Sequence, residues 1–281
     1  PLALAGVIAL RDGAFNPGHF VLALVGTMLL QTVSNLVNEW ADHKRGADDL
    51  KQAGQSLTIK QQLLTPNEIL GGAIVALVGA CLIGLYLLWQ TGPLLLLFGL
   101  GGIIVAVAYT AGPFPLAYHG LGEIAVGIFM GPMIVLGAYF VMAETVYWGL
   151  VWASLPIALM VAAILHANNI RDMQADAAAN KRTLAVRLGR RGANSEYALL
   201  VGGAYVALVG LVLSGVVYAG ALLALVTLPT AIQLVKVYFT SDDVGQMHVA
   251  QGRTAKLHGQ FGLLMAAGYV LHWLVLGWAA V

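Results

Sequence analysis

The sequence is short of charge. Asp, Glu, Lys and Arg make up 10% of its 281 residues, against about 25% in an ordinary soluble domain. So few charges cannot clothe a water-facing surface, and 59% of the residues are hydrophobic. A soluble globule is thereby excluded, and the bilayer becomes the solvent. Short alternating apolar and polar segments are also missing, which argues against a transmembrane barrel. Lipid forces every backbone polar group to find a partner within the chain, so helices are the default. Cysteine is nearly absent: Cys81 stands alone in an apolar run. It forms no intrachain disulfide and founds no thiolate metal cluster.

What is present is a series of nine apolar segments, at 1–10, 20–41, 69–89, 93–109, 121–143, 148–167, 197–218, 221–239 and 257–281. A spanning helix takes roughly 20 such residues. The first segment is too short to cross and reads as the remainder of a helix that starts upstream; no basic leader or cleavage pattern marks it as a signal peptide. If every segment crosses, the connections alternate sides. Of 14 Lys and Arg, 13 fall on or beside the connections at 42–68, 110–120, 168–196 and 240–256, and only Arg11 falls on the other set. That bias predicts that the charged face is cytoplasmic. The net charge of +1 says nothing about partners, and no nucleic-acid partner is expected.

Two polar bursts interrupt this hydrocarbon: NLVNEWADHKRGADD at 35–49 and HANNIRDMQAD at 166–176. Residues four apart on a helix share a face. Asn168, Asp172 and Asp176 therefore make one oxygen-rich stripe, and Asn35, Asn38 and Asp42 another, with Asp48 and Asp49 following in the loop. The pairs Asn38/Asp42 and Asn168/Asp172 are offset by 130 residues and each closes a long apolar helix, as in an ancient repeat or two halves of one site. Carboxylates crowded at a helix C-terminus repel one another and face the unfavourable end of the dipole, so a cation is expected among them. Without a histidine–cysteine grouping, oxygen ligands point to hard cations, Mg²⁺ first, which often shares a substrate phosphate. Two stripes facing each other would hold two such ions about a diphosphate. Lys44, Arg45, Arg171, Lys181 and Arg182 are placed to clamp phosphate oxygens; each also satisfies the positive-inside rule without any such role.

These motifs resemble the UbiA family of intramembrane prenyltransferases, whose signatures are an N-x-x-x-D helix end with further acids and a second D-x-x-x-D. Here they are Asn38–Asp42 with Asp48, and Asp172–Asp176. The text DHKRGAD (42–48), YTAGPFP (109–115), GLGEIAV (120–126), NNIRDMQAD (168–176), KRTLAVRLG (181–189) and RTAKLHGQFGLL (253–264) is most similar to the branch that prenylates 1,4-dihydroxy-2-naphthoate in menaquinone synthesis. Glu39 departs from the Asp common in that branch and is not counted as a ligand. The loop at 54–66 lacks the arginine usual near Leu57, although Lys60 is close by.

The resemblance implies one all-α polytopic membrane domain over 1–281. It has nine transmembrane helices, the first truncated, around a central cavity, with cytoplasmic cap loops at 42–68 and 168–196, each expected to hold a short amphipathic helix. It implies an integral protein of a bacterial cytoplasmic membrane, with the active site facing the cytoplasm. The reaction implied is transfer of a polyprenyl group from its diphosphate to a small aromatic acceptor. Asn38, Asp42, Asp48, Asn168, Asp172 and Asp176 would bind two Mg²⁺. Lys44, Arg45, Arg171, Lys181, Asn38 and Asn168 would bind the diphosphate. Asp42, Asp172 and Asp176 carry the catalytic role. Tyr109 and Tyr139 are candidates to stabilise an allylic cation, or are ordinary interfacial tyrosines. His166, His119 and His258 are candidate bases or packing residues, and Asp242 and Asp243 read as solvated loop residues. Homogentisate, hydroxybenzoate, a tetrapyrrole or a glycerol phosphate are alternative acceptors. A transporter is the rival class, but transporters concentrate polar groups near the midplane, whereas Thr27, Gln31 and Ser34 are almost the only polar residues inside these segments.

Overall fold

The computed structural model describes residues 1–48, 51 and 57–276, and Asp49 and 54–56 of the cap loop lie outside them. The described residues form helices and no strands: α1 (Leu2–Arg11), α2 (Pro17–Lys44), α3 (Pro66–Thr91), α4 (Leu95–Ala108), α5 (Gly122–Ile128), α6 (Ile134–Ala143), α7 (Trp148–Ala178), α8 (Leu184–Leu213), α9 (Leu228–Thr240) and α10 (Val244–Leu276). A π-helical turn, Phe129–Met133, joins α5 to α6, and a 3₁₀ stretch, Ala219–Thr227, leads into α9. Among the described residues, six spans are long and apolar enough to cross a membrane: Pro17–Lys44, Pro66–Thr91, Gly122–Ala143, Trp148–Ala178, Leu184–Leu213 and Ala219–Thr240. α1 and α4 are apolar but shorter.

Local chemistry sets the helix starts. Asn16 accepts a bond from His19 N at 3.1 Å ahead of Pro17. Thr65 and Glu68 form a reciprocal capping box ahead of α3, satisfying two otherwise orphaned donors. Thr183 caps α8 by accepting from Val186 N at 3.4 Å.

The helices outrun the apolar segments. α2 continues to Lys44 and α7 to Ala178, so both polar stripes are helical, as the spacing of four requires. α8 begins at Leu184 and breaks at Gly189, where φ is 65°, a value glycine adopts freely. The expected cap helix in 42–68 is absent among the described residues: 57–64 fold as turns, with Gln61 N bonded to Leu57 O at 2.9 Å. That stretch is instead tied to α2, because the Glu39 carboxylate accepts from Ile59 N at 2.9 Å.

α7 is the central element; 56% of its apolar window is buried, against 11% for α2. α8 and α10 pack on it, and α1 fits against α6 and α10. Small residues set the closest approaches. A Cβ on Gly220 would lie 2.0 Å from the Gly268 carbonyl oxygen, and a Cβ on Gly268 would lie 2.0 Å from that of Gly220. Without a hydrophobic drive between helices in lipid, such contacts supply the packing. At the opposite end from the acids, Trp89 and Trp148 are each 78% exposed at a helix terminus, where a membrane interface favours indole. Arg11 is neutralised on this side. It donates to Asp12 Oδ1 at 2.6 Å, to the Tyr147 hydroxyl at 2.8 Å and to the Tyr269 hydroxyl.

Overpacking a tight contact costs about 1–3 kcal/mol. Gly268→Val is therefore expected to lower the melting temperature in detergent, read by tryptophan fluorescence. Gly202→Ala, where an added Cβ meets nothing within 4 Å, is expected to leave it unchanged or raise it.

Candidate active site

A cavity of about 820 Å³ opens between α2, α3, α4, the α5–α6 helix, α7 and α10. It is lined along α2 from Leu22 to Asn38, about 24 Å at 1.5 Å per residue. Its body is apolar, walled by residues such as Leu30, Leu88, Phe98 and Met130, with Gly84 and Gly99 leaving open space. Its head is polar: Asn35, Asn38, Lys51, Asn168, Asn169, Arg171, Asp172, Lys181 and Gln251 line it. Tyr109 also lines the cavity.

The two acid stripes meet at this head. Lys181, just beyond α7, donates to Asp42 Oδ2 of α2 at 2.8 Å and lies 3.8 Å from Asp176 Oδ1. Lys51 bridges the same Asp42 oxygen at 3.3 Å and Asp48 Oδ1 at 2.7 Å. Tyr118 completes Asp42 by donating to Oδ1 at 2.9 Å. Asp42 is 1% exposed, and a carboxylate so buried persists only when paired and hydrogen-bonded. Arg171 grips Asp172 with two bonds of 2.7 and 2.6 Å, and also donates to Asn168 Oδ1 at 2.7 Å and Gln251 Oε1 at 3.3 Å. Its remaining neighbour is His248 Nδ1, at 3.1 Å. Outside the spans, burial pushes the Asp48 carboxyl up despite Lys51. Burial pulls the Lys51 and Lys181 ammoniums down, but Asp42 with Asp48 and Asp176 outweighs it, and both stay above their ordinary value.

Several residues fall elsewhere than expected. Lys44 emerges past the end of the buried stretch, where it is exposed with its ammonium 4.0 Å from the Trp40 ring centre. Arg45 turns to the 110–118 turn instead, donating to the carbonyls of Thr110 and Gly112 and lying over the Tyr118 ring. Tyr139 is not near the acids. It donates to Asp12 at 2.8 Å, beside Tyr147, at the far end of the bundle. Conversely, Lys51 and Tyr118 escaped the sequence reading. Lys51 stands three residues after Asp48 but in a loop, where that spacing carries no helical signal, and nothing in the sequence marks Tyr118. Among the histidines, His119 packs on Phe114 and bonds Pro115 O at 2.8 Å, and His258 lines the cavity. Asp242 is a solvated loop residue, 95% exposed, and Asp243 caps α10 by accepting from Gln246 N.

His166 belongs to a second buried network. Its Nδ1 is 2.9 Å from Glu123 Oε1 of α5, and its Nε2 is 2.8 Å from Ala193 O and 3.6 Å from Glu196 Oε2 of α8. Asn169 Nδ2 donates to the same Glu123 oxygen at 2.9 Å.

The head offers what a hard cation needs in donor type, since Asn38, Asp42, Asp48, Asn168, Asp172 and Asp176 present only oxygen. Asn38 Oδ1 and Asp176 Oδ1 are buried with no hydrogen-bond partner, vacancies in the bonding scheme that a metal would fill. The acids do not crowd into a ready-made cage: among the described residues no group of three or more His, Cys, Asp or Glu has metal-holding proximity. Lysines and Arg171 separate them.

Residues 1–251 match the UbiA prenyltransferase family. The chain belongs to that family. It is a prenyltransferase, embedded in a membrane by its apolar helices. It is 32% identical to the 1,4-dihydroxy-2-naphthoate octaprenyltransferase of Bacillus subtilis (strain 168), over 96% of this chain and 87% of that protein. It is 36% identical to the protein of the same name from Escherichia coli (strain K12), over 74% of this chain and 71% of that one. The UbiA prenyltransferase domain-containing protein 1 homolog of Drosophila melanogaster is 32% identical, over 94% of this chain and 73% of its own. The fold matches the apo structure of a UbiA homolog from Aeropyrum pernix K1, with a TM-score of 0.72 at 16% identity over 95% of both chains. It also matches a UbiA homolog from Archaeoglobus fulgidus bound to GPP and Mg2+, with a TM-score of 0.57 at 15% identity over 94% of this chain and 95% of that one.

Removing one partner of a buried ion pair costs up to about 3–5 kcal/mol, here offset in part by Lys51. Lys181→Met is therefore expected to lower the chemical-denaturation midpoint clearly. Lys44→Ala is expected to shift stability by no more than about 0.5 kcal/mol, the usual range for a surface position.

Proposed function

We propose that this prenyltransferase transfers a polyprenyl group from polyprenyl diphosphate to 1,4-dihydroxy-2-naphthoate, with Mg²⁺, in menaquinone biosynthesis. One observation carries the reading: two acid-bearing helix ends converge, through Lys181, at the polar head of a long apolar cavity. The curated relatives supply the acceptor, and the Archaeoglobus fulgidus homolog bound to GPP and Mg2+ supports the metal. Residues 1–281 act as one domain. Nine transmembrane helices, the first a truncated one too short to cross by itself, surround the cavity, and the polar head faces the cytoplasm of a bacterial cell. A transporter reading lost its ground once the family was established.

The prenyl tail lies along the apolar body, and the diphosphate meets the head. Asn38, Asp42, Asp48, Asn168, Asp172 and Asp176 would hold two magnesium ions. When bound, magnesium neutralises the negative charge that grows on the departing diphosphate. Lys51 and Lys181, freed from their carboxylates, bind phosphate oxygens by charge-assisted hydrogen bonds. Arg171 orients Asp172 and Asn168 through its fork. The dry cavity wall keeps water from the allylic cation, and the face of Tyr109 stabilises it. A ring carbon of the acceptor then forms the new bond to the allylic carbon and gives up its proton, which restores aromaticity; the carboxylate leaves as carbon dioxide and a proton takes its place on the ring.

Purified protein in lipid vesicles, given Mg²⁺, geranylgeranyl diphosphate and 1,4-dihydroxy-2-naphthoate, is expected to yield the prenylated naphthalenediol, detected by mass spectrometry. EDTA should abolish product. Asp42→Asn and Asp172→Asn should each reduce turnover by at least about 100-fold, as loss of a principal electrostatic contact does. Full turnover in either variant, or without divalent metal, defeats the two-stripe mechanism. Product with homogentisate or hydroxybenzoate alone would replace the acceptor and leave the rest standing.

A further inference from the structure

The buried network around His166 opens onto the cavity at one point, Asn169. Glu123 and His166 are 4% and 0% exposed and draw on three helices, α5, α7 and α8. Neither lines the cavity, but Asn169 does. The Asn169 carboxamide nitrogen is committed to Glu123 Oε1 at 2.9 Å. That bond fixes which end of the amide is which, because a carboxylate accepts and only the NH₂ group donates. The carbonyl oxygen is therefore the end left for the cavity. Its neighbour Asn168 is engaged differently, accepting from Arg171 at 2.7 Å on the acid side. Tyr109 stands beside this spot: its hydroxyl oxygen is 3.3 Å from where a Cβ on Gly122, next to Glu123, would lie.

The geometry points to Asn169 as the residue that reads a phenolic hydroxyl of the aromatic acceptor, its carbonyl oxygen accepting the hydroxyl proton in a hydrogen bond. Glu123 and His166 are positioning residues that aim the amide. This assignment rests on the prenyl-transfer reading above and adds the group that selects a hydroxylated ring. A wall of hydrocarbon alone selects poorly for a hydroxyl. A fixed acceptor selects well, because a ring without the hydroxyl leaves that acceptor unpaired.

The test compares wild type, Asn169→Ala, Glu123→Gln and Glu123→Ala with 1,4-dihydroxy-2-naphthoate and its two monomethyl ethers, at saturating geranylgeranyl diphosphate. In wild type, one ether is expected to bind about tenfold more weakly than the parent, the worth of one hydrogen bond. In Asn169→Ala the KM for the parent rises to that level and the preference over the ether disappears, while the KM for geranylgeranyl diphosphate holds. Glu123→Gln, which can still accept from the amide, keeps much of the preference, and Glu123→Ala loses it. A merely structural role would lower the melting temperature and leave the ratio between parent and ether intact; that result overturns the assignment. If wild type prenylates a different phenol, the same comparison is run with that phenol and its methyl ether. A wild type that prenylates no phenol defeats the functional reading, and with it this assignment, in a way the variants alone cannot imitate.

Discussion

Asp42 and Lys181 meet at 2.8 Å in surroundings that neither would tolerate charged and alone. Everything at the head of the cavity depends on that constraint. A low-dielectric interior makes an unpaired charge prohibitive and a paired one strong, and at this head Asp42, Asp48, Asp172 and Asp176 each lie beside a lysine or Arg171. The pairing joins the end of α2 to the turn after α7, and Lys51 and Tyr118 bring the cap loop and the 110–118 turn to the same carboxylate. Four chain segments distant in sequence are thereby pinned to one point. A site of this kind is assembled by charge neutralisation more than by packing.

Below that point the logic reverses. The cavity body needs no polar partner, since a prenyl tail is as apolar as the lipid around the helices. Glycines on α3 and α4 hold the space open, and α2 alone carries amide and hydroxyl groups downward through Gln31 and Thr27. The result is a chamber with an ionic end and a hydrocarbon end. A diphosphate with an isoprenoid tail has that same division.

The helices and the acids were legible in the sequence, because long apolar runs and a spacing of four are one-dimensional signals of three-dimensional faces. Helix ends were less so: α2 and α7 run on beyond their apolar stretches, and polarity alone cannot tell an emerging helix from a loop. The cations were read by adjacency. The structure places Lys181 and Arg171 against the acids, whereas Lys44 and Arg45, close to Asp42 in sequence, turn to Trp40 and to the 110–112 carbonyls. Lys51 was missed because a loop has no periodicity to betray which way a side chain faces. Tyr139 misled because depth along an apolar helix leaves no mark in composition.

The π turn at Phe129–Met133 contains Pro132, which lacks the N–H a regular helix requires. It also alters the angular register of everything after it. Glu123 and Tyr139 are sixteen residues apart, so in an unbroken α-helix at 100° per residue they would point about 160° apart. One of them would then face lipid. A π turn absorbs one extra residue, which brings the two to within about 60–70° on the inward side. The polar anchors at both ends of this helix, one to His166 and one to Asp12, share a face because of that single surplus residue. Excising one residue from the turn would act as a rotation, expelling one anchor or the other from the bundle.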